Sequence, residues 1–125
     1  MKKIYLALFL MTILSLSTKI FAKGDKNEYS RESIVSYFSG TVSFNNNNTE
    51  KAYEYLKKIK KIKNNHINYN IKYIHTLVLL KKFKQAFAFS KNLQEGNNSF
   101  FEADLLLGLD SFIKEDYNKA QKYFE

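Results

Sequence analysis

The sequence feature that most constrains the fold is a period of 34 residues. Alanine recurs at this interval, and larger apolar residues recur at fixed distances from it. The recurring sets are Ala52, Ala86 and Ala120; Tyr55, Phe89 and Tyr123; and Phe44, Val78 and Phe112. A period of this length accommodates two short helices and two turns, and it is typical of arrays whose units bury their apolar faces by stacking. The sequence therefore predicts an all-α fold, an α-solenoid of about three antiparallel helical hairpins.

The predicted helices and repeats follow from the apolar pattern and from polar segments that break it. Helices are expected near residues 31–45, 49–63, 67–80, 82–94, 99–114 and 117–125, within one domain over residues 31–125. The repeats are expected near residues 33–66, 67–100 and 101–125, the last incomplete. The chain has no proline, so the predicted helix breakers are the Asn and Gly residues at 64–65 and 96–98, which accept left-handed backbone angles. Asn47 with Glu50, and Ser99 with Glu102, predict capping boxes.

Small residues at the repeat positions predict where the helices approach one another closely. A small side chain lets two helix backbones come together, and a large neighbouring side chain then fills the groove. The predicted packing residues are Gly40, Ala52, Ala86, Gly108 and Ala120.

The third repeat carries a recognisable pattern, L-G-x8-Y-x2-A-x3-F, at Leu107, Gly108, Tyr117, Ala120 and Phe124. This pattern resembles the tetratricopeptide repeat, and the layout is similar to that of exported bacterial members of the family, including alphaproteobacterial ones. The chain departs from the family early in each first helix, where Ser36, Asn70 and Asp104 replace a large aromatic residue, and at Ile74, which occupies a small position.

The resemblance implies a non-enzymatic scaffold that binds a protein or peptide on the concave face formed by the first helices, with envelope assembly as one setting. By position, that face is lined by Tyr37, Phe38, Thr41, Phe44, Ile71, Lys72, His75, Val78, Leu105, Leu106, Leu109 and Phe112. An equally open interpretation is that several of these side chains belong to the core or are covered by further repeats.

The N-terminal segment has the organisation of a secretory signal peptide. A basic start at Lys2 and Lys3 precedes an apolar run over residues 4–16, and a more polar stretch ends at Ala22. Cleavage after Ala22 would leave a spacer at 23–30 and a periplasmic protein. An uncleaved signal tethering the chain to the inner membrane is the alternative, although a spanning helix needs about 20 apolar residues. The absence of cysteine excludes disulfides and a lipid-modified cysteine anchor.

Positive charge is concentrated in the middle of the chain. Residues 50–91 hold eleven lysines and two glutamates, and the densest cluster is Lys57, Lys58, Lys60, Lys61 and Lys63, here called the basic patch. One interpretation is a solvated helix end, where cations complement the helix dipole. The other is attraction to an anionic lipid surface, including peripheral membrane association, or to an acidic polymer; export makes nucleic acid an unlikely partner.

No residue pattern indicates catalysis, a cofactor or a metal. His66 and His75 lie nine residues apart without acidic neighbours at ligand spacing, and the four glycines form no phosphate-binding loop. The last repeat stops at Glu125 before a capping signal, which suggests further repeats, an oligomeric partner, or a catalytic domain beyond residue 125.

Overall fold

The structure is a computed structural model that describes residues 30–125, so the predicted signal peptide and nearly all of the spacer lie outside the described residues. The described part contains six α-helices, one 3₁₀ helix and no strand, which confirms the all-α prediction. The helices are α1 (Arg31–Asn45), α2 (Thr49–Leu56), α3 (Ile67–Leu79), α4 (Phe83–Glu95), α5 (Phe101–Ile113) and α6 (Tyr117–Phe124), with the 3₁₀ helix at Lys57–Asn64.

Three helical hairpins are closed by turns of the same geometry. Asn47, Lys81 and Glu115, spaced 34 residues apart, have positive φ angles of 56°, 57° and 62°. The next N–H in each turn donates to a carbonyl five residues earlier, with N···O distances of 2.8, 2.8 and 3.0 Å for the pairs Asn48–Ser43, Lys82–Leu77 and Asp116–Ser111. These are Schellman turns, which end a helix and satisfy its last carbonyls. The period in the sequence is therefore a period in backbone conformation.

Neither predicted capping box is formed in the structure. Asn48, not Asn47, caps α2 by accepting from the Lys51 N–H at 3.3 Å, so the predicted box with Glu50 is wrong. The box at Ser99 is also wrong, because α5 begins after Phe100 without a side-chain cap and the Ser99 hydroxyl bonds Asp104.

The helix predicted over residues 49–63 is broken at Ile59, whose φ and ψ are −112° and 26°. The 3₁₀ segment consists of helical turns joined at this kink, and Leu56, Ile59 and Ile62 lie on its inner side. All three are buried, at 0%, 3% and 4% exposure, and the lysines between them face outward. Tyr69 stabilises the end of α2 before the break, because its buried hydroxyl donates a hydrogen bond to the Leu56 carbonyl at 3.1 Å.

The core lies where the middle hairpin meets the other two. The Tyr69 and Tyr73 rings of α3 stack at 5.7 Å with 10° between their planes, and Phe89 of α4 meets Tyr73 edge to face at 4.9 Å. Leu77 and Leu93 complete this centre at 0% and 1% exposure. Burial of these large side chains is the main stabilising contribution available to a chain without cysteine.

The small residues of the period lie at tight helix contacts. Ala52, Ala86 and Ala120 are buried at 0%, 0% and 2% exposure. A Cβ atom added to Gly40 would come within 2.7 Å of the Leu56 Cδ2, and one added to Gly108 would overlap the Phe124 ring. The buried Leu56 side chain thus limits the approach of the two helices in the first hairpin, whereas the Phe124 ring in the third is 53% exposed.

We expect Ala86→Leu to destabilise the chain by about 1–3 kcal/mol, because three extra carbon atoms must enter a filled helix contact. Ala88→Leu is the matched control, since Ala88 lies on the same helix and is exposed, and it should change stability by no more than about 0.5 kcal/mol. Urea denaturation followed by circular dichroism measures both. Equal midpoints for the two variants would show that Ala86 is not at a close helix contact.

Candidate functional site

The first helices of the hairpins carry the predicted partner-binding residues on accessible surface. α3 contacts both α1 and α5, so the three first helices are neighbours. Phe38, His75, Leu105, Leu109 and Phe112 are exposed, and Leu106 is buried. The remaining predicted residues are half-buried: Tyr37, Thr41, Phe44, Ile71, Lys72 and Val78.

A groove between α3 and α5 brings several of these residues together. Its volume is about 280 Å³, and its lining combines the predicted His75, Val78, Leu105 and Leu106 with Ile74, Leu79 and Glu102. Leu79 and Leu105 are 63% and 47% exposed, so both present apolar surface to solvent at the groove. Glu102 and His75 are the two polar side chains of the lining. We call this the apolar groove.

Sequence reasoning missed Leu79 and Glu102. Leu79 is the last residue of α3, next to a turn, and Glu102 lies in the first turn of α5, where an acid ordinarily complements the helix dipole. Only the packing of α3 against α5 places both at one groove.

Aromatic contacts continue from the groove towards α1. The Phe44 ring lies 6.2 Å from the His75 ring, and the Tyr37 ring lies 4.5 Å from the His66 ring. Phe112 instead packs edge to face on Tyr117 of its own hairpin, at 5.5 Å. The predicted lining is thus divided: His75, Val78 and Leu105 share a groove, whereas Phe38, Leu109 and Phe112 do not line it.

Three lysines of the basic patch, and Lys82 outside it, lie over tyrosine rings. Lys57 Nζ and Lys82 Nζ lie 5.3 and 5.0 Å from the centroid of the Tyr53 ring, within cation–π range. Lys58 lies 5.6 Å above Tyr55 and Lys60 lies 5.6 Å above Tyr73. In the described residues the ion pairs are Lys91–Glu95 and Lys114–Asp110, so no patch lysine is neutralised by an acid there.

The histidines have identifiable structural positions. His66 caps α3, because its Nδ1 accepts from the Tyr69 N–H at 3.3 Å, and His75 is exposed at the groove. Residues 30–125 contain no cluster of three or more His, Asp or Glu side chains arranged to hold a metal. Within the same range, no helix combines the length and apolar character needed to span a membrane.

Comparison with protein-family models, with curated proteins and with solved structures found no match for this chain.

Proposed function

We propose that this protein is a non-enzymatic, tetratricopeptide-like scaffold that binds a peptide or protein on its first-helix face. The observation that carries the proposal is the apolar groove between α3 and α5, with its exposed leucines. An apolar surface held in contact with water has an unfavourable hydration free energy, which a partner would remove on binding.

The repeat geometry supports the tetratricopeptide-like part of the proposal. The three Schellman turns recur every 34 residues, and the period places small residues at helix contacts in each hairpin. Stacked hairpins of this kind present their first helices side by side, which creates an extended binding surface. The protein–peptide partner, the periplasmic location and any role in envelope assembly are parts of the same proposal; the location derives from the signal-like residues 1–22.

The chemistry of the groove indicates the partner's contact residues. A leucine-rich lining favours an apolar side chain, and Glu102 favours a basic group beside it. A segment that presents an apolar anchor next to a lysine or arginine fits this surface. We therefore propose an amphipathic, locally basic peptide segment as the ligand.

The test uses partner proteins captured by the tagged chain from bacterial envelope extract and identified by mass spectrometry. Purified partner is then titrated against Leu79→Glu and Leu105→Glu, which should each weaken binding about tenfold by burying an unpaired charge at the contact. Ile113→Glu and Ile34→Glu are matched controls. They also replace an aliphatic residue by glutamate, at the same exposures, 63% and 47%, outside the groove.

The salt dependence of binding distinguishes this proposal from a second candidate function. In that candidate, the basic patch binds an anionic lipid surface or an acidic polymer. That candidate is favoured by the absence of acidic partners for the patch lysines in the described residues. Groove binding should persist at moderate salt, whereas patch binding should fall steeply as ionic strength screens charges over about 8–10 Å. Loss of binding in Lys57→Gln/Lys58→Gln/Lys61→Gln, with the groove variants unaffected, would contradict the groove proposal.

A further inference from the structure

A second cavity lies between the 3₁₀ helix, α3 and α4 and shares no lining residue with the apolar groove. Its volume is about 370 Å³, and its polar lining consists of Lys60, Lys63, Tyr73, Gln85 and Asn92, with Phe89 as an apolar wall. No acidic side chain of the described residues lines it. Lys60 and Lys63 both follow the break at Ile59, and they line the cavity together with residues of α3 and α4.

Tyr73 contributes a buried hydroxyl that no protein group satisfies. The residue is 1% exposed, and its hydroxyl has no hydrogen-bond partner. Burial, and then the neighbouring Tyr53, raise the pKa of the Tyr73 phenol above its ordinary value, so the hydroxyl keeps its proton and remains a donor. An unsatisfied buried hydroxyl is costly and uncommon. Because Tyr73 lines the cavity, a ligand oxygen that reaches this hydroxyl would supply the missing partner.

The other polar groups of the cavity supply further donors. Gln85 Oε1 accepts from the Tyr53 hydroxyl at 3.1 Å, which leaves the Gln85 amide N–H₂ group to donate elsewhere. Lys60 Nζ lies over the Tyr73 ring, 5.6 Å from its centroid, and therefore stands next to the unsatisfied side chain. Lys63 adds a second positive charge from the same 3₁₀ helix.

We propose that this cavity binds the phosphate group of a small phosphate monoester, with the ester's apolar body against Phe89. The proposal is independent of the peptide-binding function, because the two sites have no residue in common.

Charge and donor number favour phosphate over carboxylate. A phosphate monoester carries nearly two negative charges at neutral pH and three terminal oxygens, which match two lysines together with the Tyr73 hydroxyl and the Gln85 amide. A carboxylate has one charge and two oxygens, so it would leave one lysine without a counter-charge. Lysine binds phosphate as a point charge, so the flexible Lys60 and Lys63 side chains suit this ligand.

The test is isothermal titration of the full chain with phenyl phosphate, with benzoate as the carboxylate comparison. We expect the chain to bind phenyl phosphate and to prefer it to benzoate. Lys60→Gln/Lys63→Gln should weaken phenyl phosphate binding at least about tenfold, because two charge-assisted contacts are lost. Lys57→Gln/Lys58→Gln removes the same charge from the same segment outside the cavity, and it should change affinity less than about twofold.

Tyr73→Phe gives a second, separate readout. Loss of the donor should weaken phenyl phosphate binding by about tenfold. In the absence of ligand the variant should be as stable as the parent or more so, because the unsatisfied hydroxyl is removed while the ring remains. Destabilisation without any change in affinity would show that the hydroxyl has a structural partner, and it would overturn the site.

A parallel arm identifies the source of the phosphate group. Vesicles of phosphatidylcholine with phosphatidic acid should displace phenyl phosphate if the ligand is a lipid headgroup, and should fail to do so if the ligand is a soluble ester; both results support the cavity. No binding of phenyl phosphate, a preference for benzoate, or equal losses in the two double lysine variants would overturn the proposal.

Discussion

Gly40→Ile and Leu56→Ser should each destabilise the chain strongly, whereas the double variant should recover much of the loss. Gly40→Ile forces a branched side chain against Leu56 Cδ2 and should cost about 1–3 kcal/mol. Leu56→Ser empties a site that is 0% exposed and should cost about 2–5 kcal/mol. In the double variant the isoleucine fills the space that the leucine leaves, so the coupling should be about 1–3 kcal/mol.

The middle hairpin has the residue sizes that the double variant would place at positions 40 and 56. One period after Gly40 and Leu56, the chain has Ile74 and Ser90, which are both buried, at 1% and 0% exposure. The large and small residues thus occupy opposite helices in the first and second hairpins. If the hairpins are equivalent, the double variant gives the first hairpin the arrangement of the second hairpin, with the large residue on its first helix and the small residue on its second helix.

Urea denaturation of the parent, both single variants and the double variant measures the coupling. Gly108→Ala serves as a control for glycine replacement, because its neighbour Phe124 is 53% exposed and can move aside. Helix propensity then favours alanine by about 1 kcal/mol, so this variant should be neutral or stabilised. Strictly additive losses in the double variant would show that positions 40 and 56 are not paired as positions 74 and 90 are.

Stability should also fall steeply in alkali. Burial, followed by their tyrosine neighbours, raises the pKa of Tyr69 and of Tyr73, so both phenols stay protonated in the folded chain. In the unfolded chain each phenol loses its proton above pH of about 10. Alkali therefore favours the unfolded state, and each tyrosine should lower the free energy of unfolding by about 1.4 kcal/mol per pH unit in that range. The stabilisation is fully present below pH of about 10.

Denaturation midpoints measured from neutral pH into alkali give the slope of the free energy of unfolding against pH. Tyr69→Phe should reduce this slope by about half, because it removes one of the two tyrosines whose pKa is raised in the folded chain. The variant also loses the hydrogen bond to the Leu56 carbonyl, which lowers its stability at every pH. Tyr117→Phe, which changes a phenol that is 58% exposed, serves as the control for the substitution. An equal slope in the parent and Tyr69→Phe would contradict a protonated, buried Tyr69.

Local sequence signals were sufficient for the positions of the turns and for the helices other than the one predicted over residues 49–63. Helix starts at Thr49, Phe83 and Tyr117 follow the 34-residue period, and the polar segments fall between helices as expected. The left-handed conformation was easier to predict at Asn47 than at Lys81 or Glu115, because asparagine favours it and the other two do not. At those two positions the flanking helices impose the turn.

The structure changed the interpretation of the basic patch most. Its lysines were expected on one continuous helix, but burial of Ile59 and Ile62 beneath α3 breaks that helix. Lys60 and Lys63 lie three residues apart beyond the kink and both line the cavity beside Tyr73, whereas Lys57 lies before the kink. No local signal distinguishes these two lysines from Lys57 and Lys58.

The sequence by itself determined the all-α class, the hairpin length and the small residues at the helix contacts, because these depend on apolar periodicity and side-chain size over a few turns. Only the tertiary structure decided which side chains meet at the two cavities. Leu79 joins Leu105 across α3 and α5, which have a whole helix between them along the chain. Lys60 joins Tyr73 across the junction of the first and second hairpins. Such contacts depend on how hairpins stack, and a period repeated along one chain does not specify the side-chain neighbours that stacking creates.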